Sequence, residues 1–214
     1  SVNINYSNQS KTILDNSFNL NISSNMLSAM SDLFISLSGT ELKADQVNLY
    51  DFSGYVLEAG ISTIVKKTDG SKDEWIEVAR ELEGKKVLTP PYCTREYTKT
   101  ATYDQWFISL YRSFNNQYKR GVGVIETAKQ CKSVFKSIIT YKKKNHEDAA
   151  SIYVFDSNGD LIYPYDISQE YKAALQPYYE LTKGDDSALT FISPLTGKTE
   201  YAAEAVSSYT GYTY

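Results

Sequence analysis

Apolar side chains recur at Leu14, Phe18, Ile22, Met26, Met30, Leu33, Phe34 and Leu37, steps of four and three that gather on one side of a helix. Only Lys11, Asp15 and Asp32 are charged between Ser1 and Ser38, and Ser and Asn fill most other polar positions. The spacing predicts one long helix over residues 7–38, with Gly39 as its stop, because glycine takes the left-handed conformation that closes a last turn. Such a helix would extend about 45 Å, longer than a small domain is wide. It would lie along two packed units or dimerise.

After residue 42 the period changes from helix to strand, and one pattern occurs twice. Val47 to Leu57 reads VNLYDFSGYVL and Ile152 to Ile162 reads IYVFDSNGDLI, so Asp51 aligns with Asp156 and Gly54 with Gly159. In each, two apolar runs flank D-x-x-G, which predicts a hairpin. The aspartate bonds backbone N–H groups of the turn and the glycine accepts positive φ. Asp51 and Asp156 are therefore read as turn formers rather than catalytic acids.

Each hairpin is followed by a helix and further strands. A helix from Asp73 to Leu82 carries Trp75, Ile76, Val78, Ala79 and Leu82, with Gly84 at its end. Strands follow at Trp106–Phe114 and Gly121–Thr127, joined by the polar turn Asn115–Arg120. A helix is expected from Ala128 to Tyr141, running into the charged loop KKKNHEDA, the expected boundary between the copies. The second hairpin precedes a helix from Ser168 to Leu181 and strands at Leu189–Ser193 and Thr199–Ser207, separated by the turn SPLTGK. Contiguous hairpin-linked strands favour antiparallel sheets, so the fold class is α+β.

Composition narrows the chemistry. The 214 residues carry 22 Lys and Arg against 26 Asp and Glu, a net charge of −4, so nothing basic is in excess to neutralise a phosphate backbone and nucleic acid is not an expected partner. No apolar run approaches the roughly 18 residues of a membrane-spanning helix. A chain opening at Ser1 is expected to be a processed protein or a piece of a longer one. Cys93, Cys131 and His146 are too few for a structural zinc site, and no metal or cofactor is expected. The two cysteines could form one disulfide or remain partly buried thiols. His146, the only histidine, sits in the charged loop, and no G-x-S-x-G elbow or G-x-x-x-x-G-K-[ST] phosphate cradle exists. No catalytic residue is assigned.

A long N-terminal helix followed by two units that each open with strand, D-x-x-G and strand resembles the double Cache sensor region of bacterial membrane receptors. The nearer likeness is to sensor histidine kinases of the YesM type. It is carried by VNLYDFSGYVLEAG, DEWIEVARELEGKKVLTPPY, WFISLYRSF with GVGVIE, and IYVFDSNGDLIYPYD, most of Val47 to Asp166. The resemblance implies a helix over 1–42 packed along two PAS-like units, each an antiparallel sheet with flanking helices. A membrane-distal unit would span 43–141 and a membrane-proximal one 142–214, short enough to lack a closing strand. It implies a non-enzymatic ligand sensor on the extracellular side of the cell membrane, held by flanking membrane segments, with a homodimer through the N-terminal helix as a possible partner arrangement. The output is expected to be a histidine kinase, with a chemoreceptor or cyclase as the alternative and a surface interaction protein as the rival class.

The resemblance places a small-molecule site in the distal unit, and the candidate ligand-binding residues are Trp75, Tyr92, Tyr97, Tyr103, Trp106, Tyr111, Arg112 and Glu126. Members that bind amino acids share R-x-W-Y before P-Y-x-D. Trp75 and Pro91-Tyr92 match, whereas Asp73, Ile76 and Thr94 stand where Arg, Tyr and Asp would be. That reverses the charge offered to a carboxylate, so α-amino acids are not expected and a carbohydrate suits the tyrosine-rich chain better. Arg112 shares a strand face with Trp106, Ile108 and Leu110, and is expected either to pair with Glu126 or to bind ligand. Trp75 and Trp106 could be core or pocket. Asp160, Tyr163 and Tyr165 are read as hairpin and surface residues.

Overall fold

The computed structural model describes residues 44–59, 64–94, 104–115, 121–146, 150–182 and 189–214, so the helix read over residues 7–38 lies outside the described residues. The chain divides into two compact units at Gln130/Cys131, upstream of the boundary expected at 141/142.

The first unit holds β1 (Gln46–Asp51), β2 (Tyr55–Ala59), β3 (Ile64–Lys67), α1 (Asp73–Glu81), β4 (Val87–Leu88), β5 (Tyr92–Thr94), β6 (Gln105–Asn115) and β7 (Gly121–Gln130). These strands form one antiparallel sheet in the order β3-β2-β1-β7-β6-β4, with β5 also on β6. Strand alternation divides its side chains. Val47, Leu49, Leu57 and Val122 make one apolar cluster. Tyr50, Val56, Tyr111 and Val124 make another, closed by Ile76 and Ala79 of α1. Full burial of an isoleucine contributes about 2 kcal/mol, so Ile76 is a main anchor of that helix.

β7 runs three residues beyond the strand expected there, because Ala128 lies between Gln46 of β1 and Ser109 of β6, and pairing on both edges holds the chain extended. The helical segment begins only at Cys131, as α2 (Cys131–Val134), and resumes after Phe135 as α3 (Lys136–Asn145). The lysines expected in a charged loop are thus the last turn of a helix, where cations complement the carbonyl end of the macrodipole. His146 follows at φ 50° and is exposed.

The second unit continues with β8 (Val154–Phe155), β9 (Leu161–Tyr163), α4 (Gln169–Thr182), β10 (Leu189–Ile192) and β11 (Thr199–Ala202). Two separate hairpins result, β8-β9 and β10-β11. The core is Phe155, Leu161, Leu175, Tyr178 and Tyr179. Tyr163 is buried rather than superficial: its ring and that of Tyr165 lie 5.0 and 5.9 Å from Phe135, because the break between α2 and α3 turns that phenylalanine inward. Cys93 is exposed and Cys131 is buried, and the two are not joined in a disulfide.

The repeated D-x-x-G turns share one construction. Asp51 Oδ1 accepts the N–H groups of Ser53 and Tyr55 at 2.8 and 2.9 Å, and Asp156 Oδ1 accepts those of Asn158 and Asp160 at the same two distances. Gly54 and Gly159 sit at φ 86° and 88°. Their surroundings differ. A Cβ on Gly54 would meet nothing within 4 Å, whereas one on Gly159 would lie 2.5 Å from the Tyr179 ring. Gly54→Ala is therefore expected to cost about 1 kcal/mol from left-handed strain alone, and Gly159→Ala about 2–4 kcal/mol with overpacking added. Urea unfolding of each unit tests this, and equal losses would refute the account of Gly159.

Candidate functional site

A cavity of about 280 Å³ opens in the first unit between the start of α1, the segment Thr89–Thr94 and the sheet. Two of its lining residues, Lys72 and Tyr92, reach a buried polar face of the sheet. Gln46, Asn48 and Tyr50 alternate on β1 with the apolar Val47 and Leu49, and all are buried. The neighbouring β7 sets Glu126 beside Asn48, and β6 sets Tyr111 opposite Glu126. Sheet pairing thus brings two polar side chains of β1, Asn48 and Tyr50, against one carboxylate with 0% exposure, while Gln46 Nε2 donates to Asn48 Oδ1 at 2.8 Å.

Glu126 is ringed by donors. Its Oε2 accepts from Asn48 Nδ2 at 2.8 Å and Tyr50 Oη at 2.6 Å, with Lys72 Nζ at 3.2 Å. Its Oε1 accepts from Ser109 Oγ at 2.6 Å and, more distantly, Tyr92 Oη at 3.4 Å. Tyr92 Oη also lies 2.6 Å from Ser109 Oγ. An ionised carboxylate can only accept, so Ser109 spends its hydrogen on Glu126, and the one Tyr92 phenol hydrogen is shared between Ser109 Oγ and, at longer range, Glu126 Oε1. Burial pushes the Glu126 pKa up, but the Lys72 ammonium and the hydrogen bonds from Ser109, Tyr50 and Asn48 outweigh it and hold the carboxyl below its ordinary range. Burial, then the charge of Glu126, drives the Tyr50 phenol far above its ordinary value, so it stays protonated and donates.

Lys72 reaches this point because of the turn before it. Asp69 Oδ1 accepts the Ser71 N–H at 2.9 Å, Gly70 takes φ 77°, and Lys72 becomes the residue capping α1. A lysine supplies no capping acceptor, and the cap makes no side-chain hydrogen bond. The side chain instead reaches down to Glu126 and lines the cavity.

The walls are aromatic. Trp75, Tyr92 and Tyr111 all line the cavity, as does Thr94. The Trp75 and Tyr111 rings lie 6.5 Å apart at 23°, and Tyr111 continues to Tyr50 at 6.4 Å and 26°. Of the residues expected at a site, Trp75, Tyr92, Tyr111 and Glu126 are thus brought together. Tyr97 and Tyr103 lie outside the described residues. Trp106 and Arg112 are not at the cavity: odd positions of β6 face Glu126, so these even positions turn to the other face, Arg112 exposed opposite Ile125 and Trp106 half-buried opposite Cys93. The expected Arg112–Glu126 ion pair gives way to Lys72–Glu126 for that reason. Asp73 is exposed and does not line the cavity, and Ile76 is core. Sequence reading missed Lys72, Asn48 and Ser109. A signal existed for Asn48, since N between V and L in an apolar strand marks a polar group needing a buried partner. None existed for Lys72, whose role depends on the turn that aims it.

No protein-family model matches the chain, and no curated protein matches it in sequence. In three dimensions it is similar to the sensory domain of the Campylobacter jejuni chemoreceptor Tlp3, at 15% identity and TM-score 0.59, over 95% of this chain and 78% of that one. It is similar to the extracellular domain assigned to the histidine kinase rpHK1S-Z16, at 16% identity and TM-score 0.58, over 96% and 81%. The ligand-binding domain of the Pseudomonas aeruginosa PAO1 chemoreceptor PctC, in complex with GABA, matches at 10% identity and TM-score 0.56, over 88% of each chain. These likenesses show a fold shared with these sensory domains.

Because the folded pKa of Glu126 is depressed, the stability it contributes is present above the unfolded carboxylate value of about 4.3 and is lost as pH falls through the folded value. Glu126→Gln leaves Lys72 and the donor ring without their charge and is expected to cost about 3 kcal/mol at pH 7, the lower end for breaking a buried pair. The gap between the two proteins should narrow near pH 3. Urea unfolding at both pH values checks this, and a gap that does not change with pH would refute it.

Proposed function

We propose that this chain is the extracellular ligand-sensing module of a membrane receptor, catalysing no reaction itself and reading a small molecule in the cavity of its first unit. The observation that carries this is the cavity's construction: aromatic walls from Trp75, Tyr92 and Tyr111 stand beside Lys72, whose ammonium is paired with the buried, hydrogen-bonded Glu126. The shared fold supports the reading, since the Tlp3 domain has been seen with isoleucine and with L-valine, and that of PctC with GABA. A cavity of this kind also favours small-molecule sensing over the rival class of surface interaction protein. Among the described residues no helix is long and apolar enough to cross a membrane, so anchoring would come from flanking segments.

For the ligand, the structure changes the weight of the argument from Asp73. That carboxylate does not line the cavity, and the charge offered there is the Lys72 ammonium. A compound carrying a carboxylate, amino acids included, therefore suits the site. A carbohydrate is the second reading, favoured by the paired Trp75 and Tyr111 faces on which a sugar ring could stack. For the parent we favour a sensor kinase of the YesM type, supported by the order and spacing of the sequence segments, over a chemoreceptor or cyclase. Signalling would pass as a ligand-dependent bias between two states of a dimer packed through the N-terminal helix.

Thermal unfolding against amino acids, organic acids and mono- and oligosaccharides tests the proposal. A ligand at 100 times its Kd adds about 2.7 kcal/mol, a shift of several degrees. A carboxylate compound is expected to give that shift, Lys72→Met to abolish it and Lys72→Arg to retain most of it. A sugar shift that survives Lys72→Met would install the second reading. Silence from the whole panel would favour the interaction-protein class.

A further inference from the structure

The second unit contains a cavity of about 650 Å³, a size that small-molecule sites commonly have. Two elements build most of its wall. On α4, Tyr171 and Tyr178 stand seven residues apart, two helical turns, so both fall on one helix face and both line the cavity. On the β10-β11 hairpin, Phe191 is paired directly with Glu200, and directly opposed residues share a face. The register thus sets an aromatic ring and a carboxylate side by side, both half-buried and both in the lining. Glu204, also half-buried, is a second carboxylate there.

Charge and ring geometry point to one class of ligand. Among the described residues that line the cavity, none is Lys, Arg or His. Glu200 Oε1 accepts from Thr196 Oγ1 at 2.9 Å and its Oε2, more distantly, from Tyr178 Oη at 3.4 Å. Both donors are neutral hydroxyls, and among the described residues no lysine or arginine pairs with Glu200. Its oxygens keep further lone pairs for a ligand. The Tyr178 ring lies 5.2 Å from that of Tyr153 at 45° and 5.6 Å from that of Phe191 at 85°. Stacked rings present one plane, whereas rings turned across one another border a space from several sides. Aromatic faces are negative and attract a cation brought within about 6 Å. An anion would meet carboxylates, and a neutral apolar compound would leave their charge unanswered. A substituted ammonium ion answers both features, its charge meeting the glutamates and its alkyl groups the rings. Lys72 gives the first unit's cavity an ammonium, so the two cavities would not take the same ligand.

We propose that the cavity of the second unit is a separate binding site for a small organic cation of the substituted-ammonium class, held by the rings of Tyr153, Tyr178 and Phe191 and by the carboxylates of Glu200 and Glu204. Glu200 supplies the charge and Phe191, across the hairpin, the ring beside it. The inference does not rest on the reading of the first cavity and stands if that cavity proves empty of function.

The test is calorimetric titration of the chain with choline and with dimethylbutanol, its uncharged isostere with carbon in place of nitrogen, and amide hydrogen exchange to locate the bound compound. Choline is expected to bind and the isostere to bind at least about tenfold more weakly, the difference that cation–π and charge attraction together supply. Glu200→Gln, which keeps the shape and an acceptor for its hydroxyl partners, should weaken choline about tenfold, and Phe191→Leu should weaken it several-fold. Residues 150–155 and 199–204 should gain protection. Absence of choline binding by the folded chain would overturn the proposal, as would equal affinity for the isostere or an affinity that Glu200→Gln leaves unchanged. Protection confined to residues 71–94 would place choline in the first unit's cavity and overturn it equally.

Discussion

Glu126 holds a carboxylate where no water reaches it, and moving such a group out of water costs several kcal/mol unless its oxygens are met by donors and its charge by a cation. The donors come from separate parts of the chain: Asn48 and Tyr50 from β1, Ser109 from β6, Tyr92 from β5 and Lys72 from the cap of α1. The ring closes only when all these elements are in register. A one-residue slip of β1 would replace Asn48 and Tyr50 with Val47 and Leu49 and strand the charge. The carboxylate therefore ties the sheet register, the seating of the helix and the placement of Lys72 and Tyr92 in the cavity lining to one condition.

In the proposed sensor, that coupling would give the cavity a means of reporting occupancy. Lys72, Tyr92 and Tyr111 line the space and also touch the ring or its aromatic neighbours, so a ligand drawing on the Lys72 ammonium or the Tyr92 hydroxyl competes with Glu126 for the same donors. In so low a dielectric, a lost donor is felt by every remaining bond. The start of α1, held by the Asp69–Gly70–Ser71 turn and by Lys72, is the element on which such a change acts first.

The second unit poses the opposite problem. Its core of Phe155, Leu175, Tyr178 and Tyr179 is well buried, and among the described residues its named strands form two hairpins. Apolar burial is non-directional and can be satisfied by a helix laid on short hairpins, whereas sheet hydrogen bonding needs a partner at every edge. The same sequence pattern, strand and D-x-x-G and strand, thus builds β1-β2 inside a seven-stranded sheet and β8-β9 as a hairpin whose Phe155 also bridges to Thr213.

Local patterns determined the elements. The aspartate and glycine of each repeated turn, the apolar spacing of α1 and α4 and the alternation of β6 and β7 act over a few residues, and those features stand where sequence reading placed them. Trp75, Tyr92, Tyr111 and Glu126 were site candidates by resemblance to a family, and the fold sets the first three in the cavity lining and Glu126 against Tyr92. The errors share one origin. Ala128–Gln130 has helical surroundings in sequence but two strands beside it in space; Arg112 follows Tyr111 in the chain but lies on the opposite face of the sheet; Lys72 neighbours no other site residue in sequence but Trp75. Which face a side chain takes, and which distant donor meets a buried charge, depends on strand pairing and on the turn that aims α1. Only the tertiary structure decided these, because they are set by contacts between segments rather than within them.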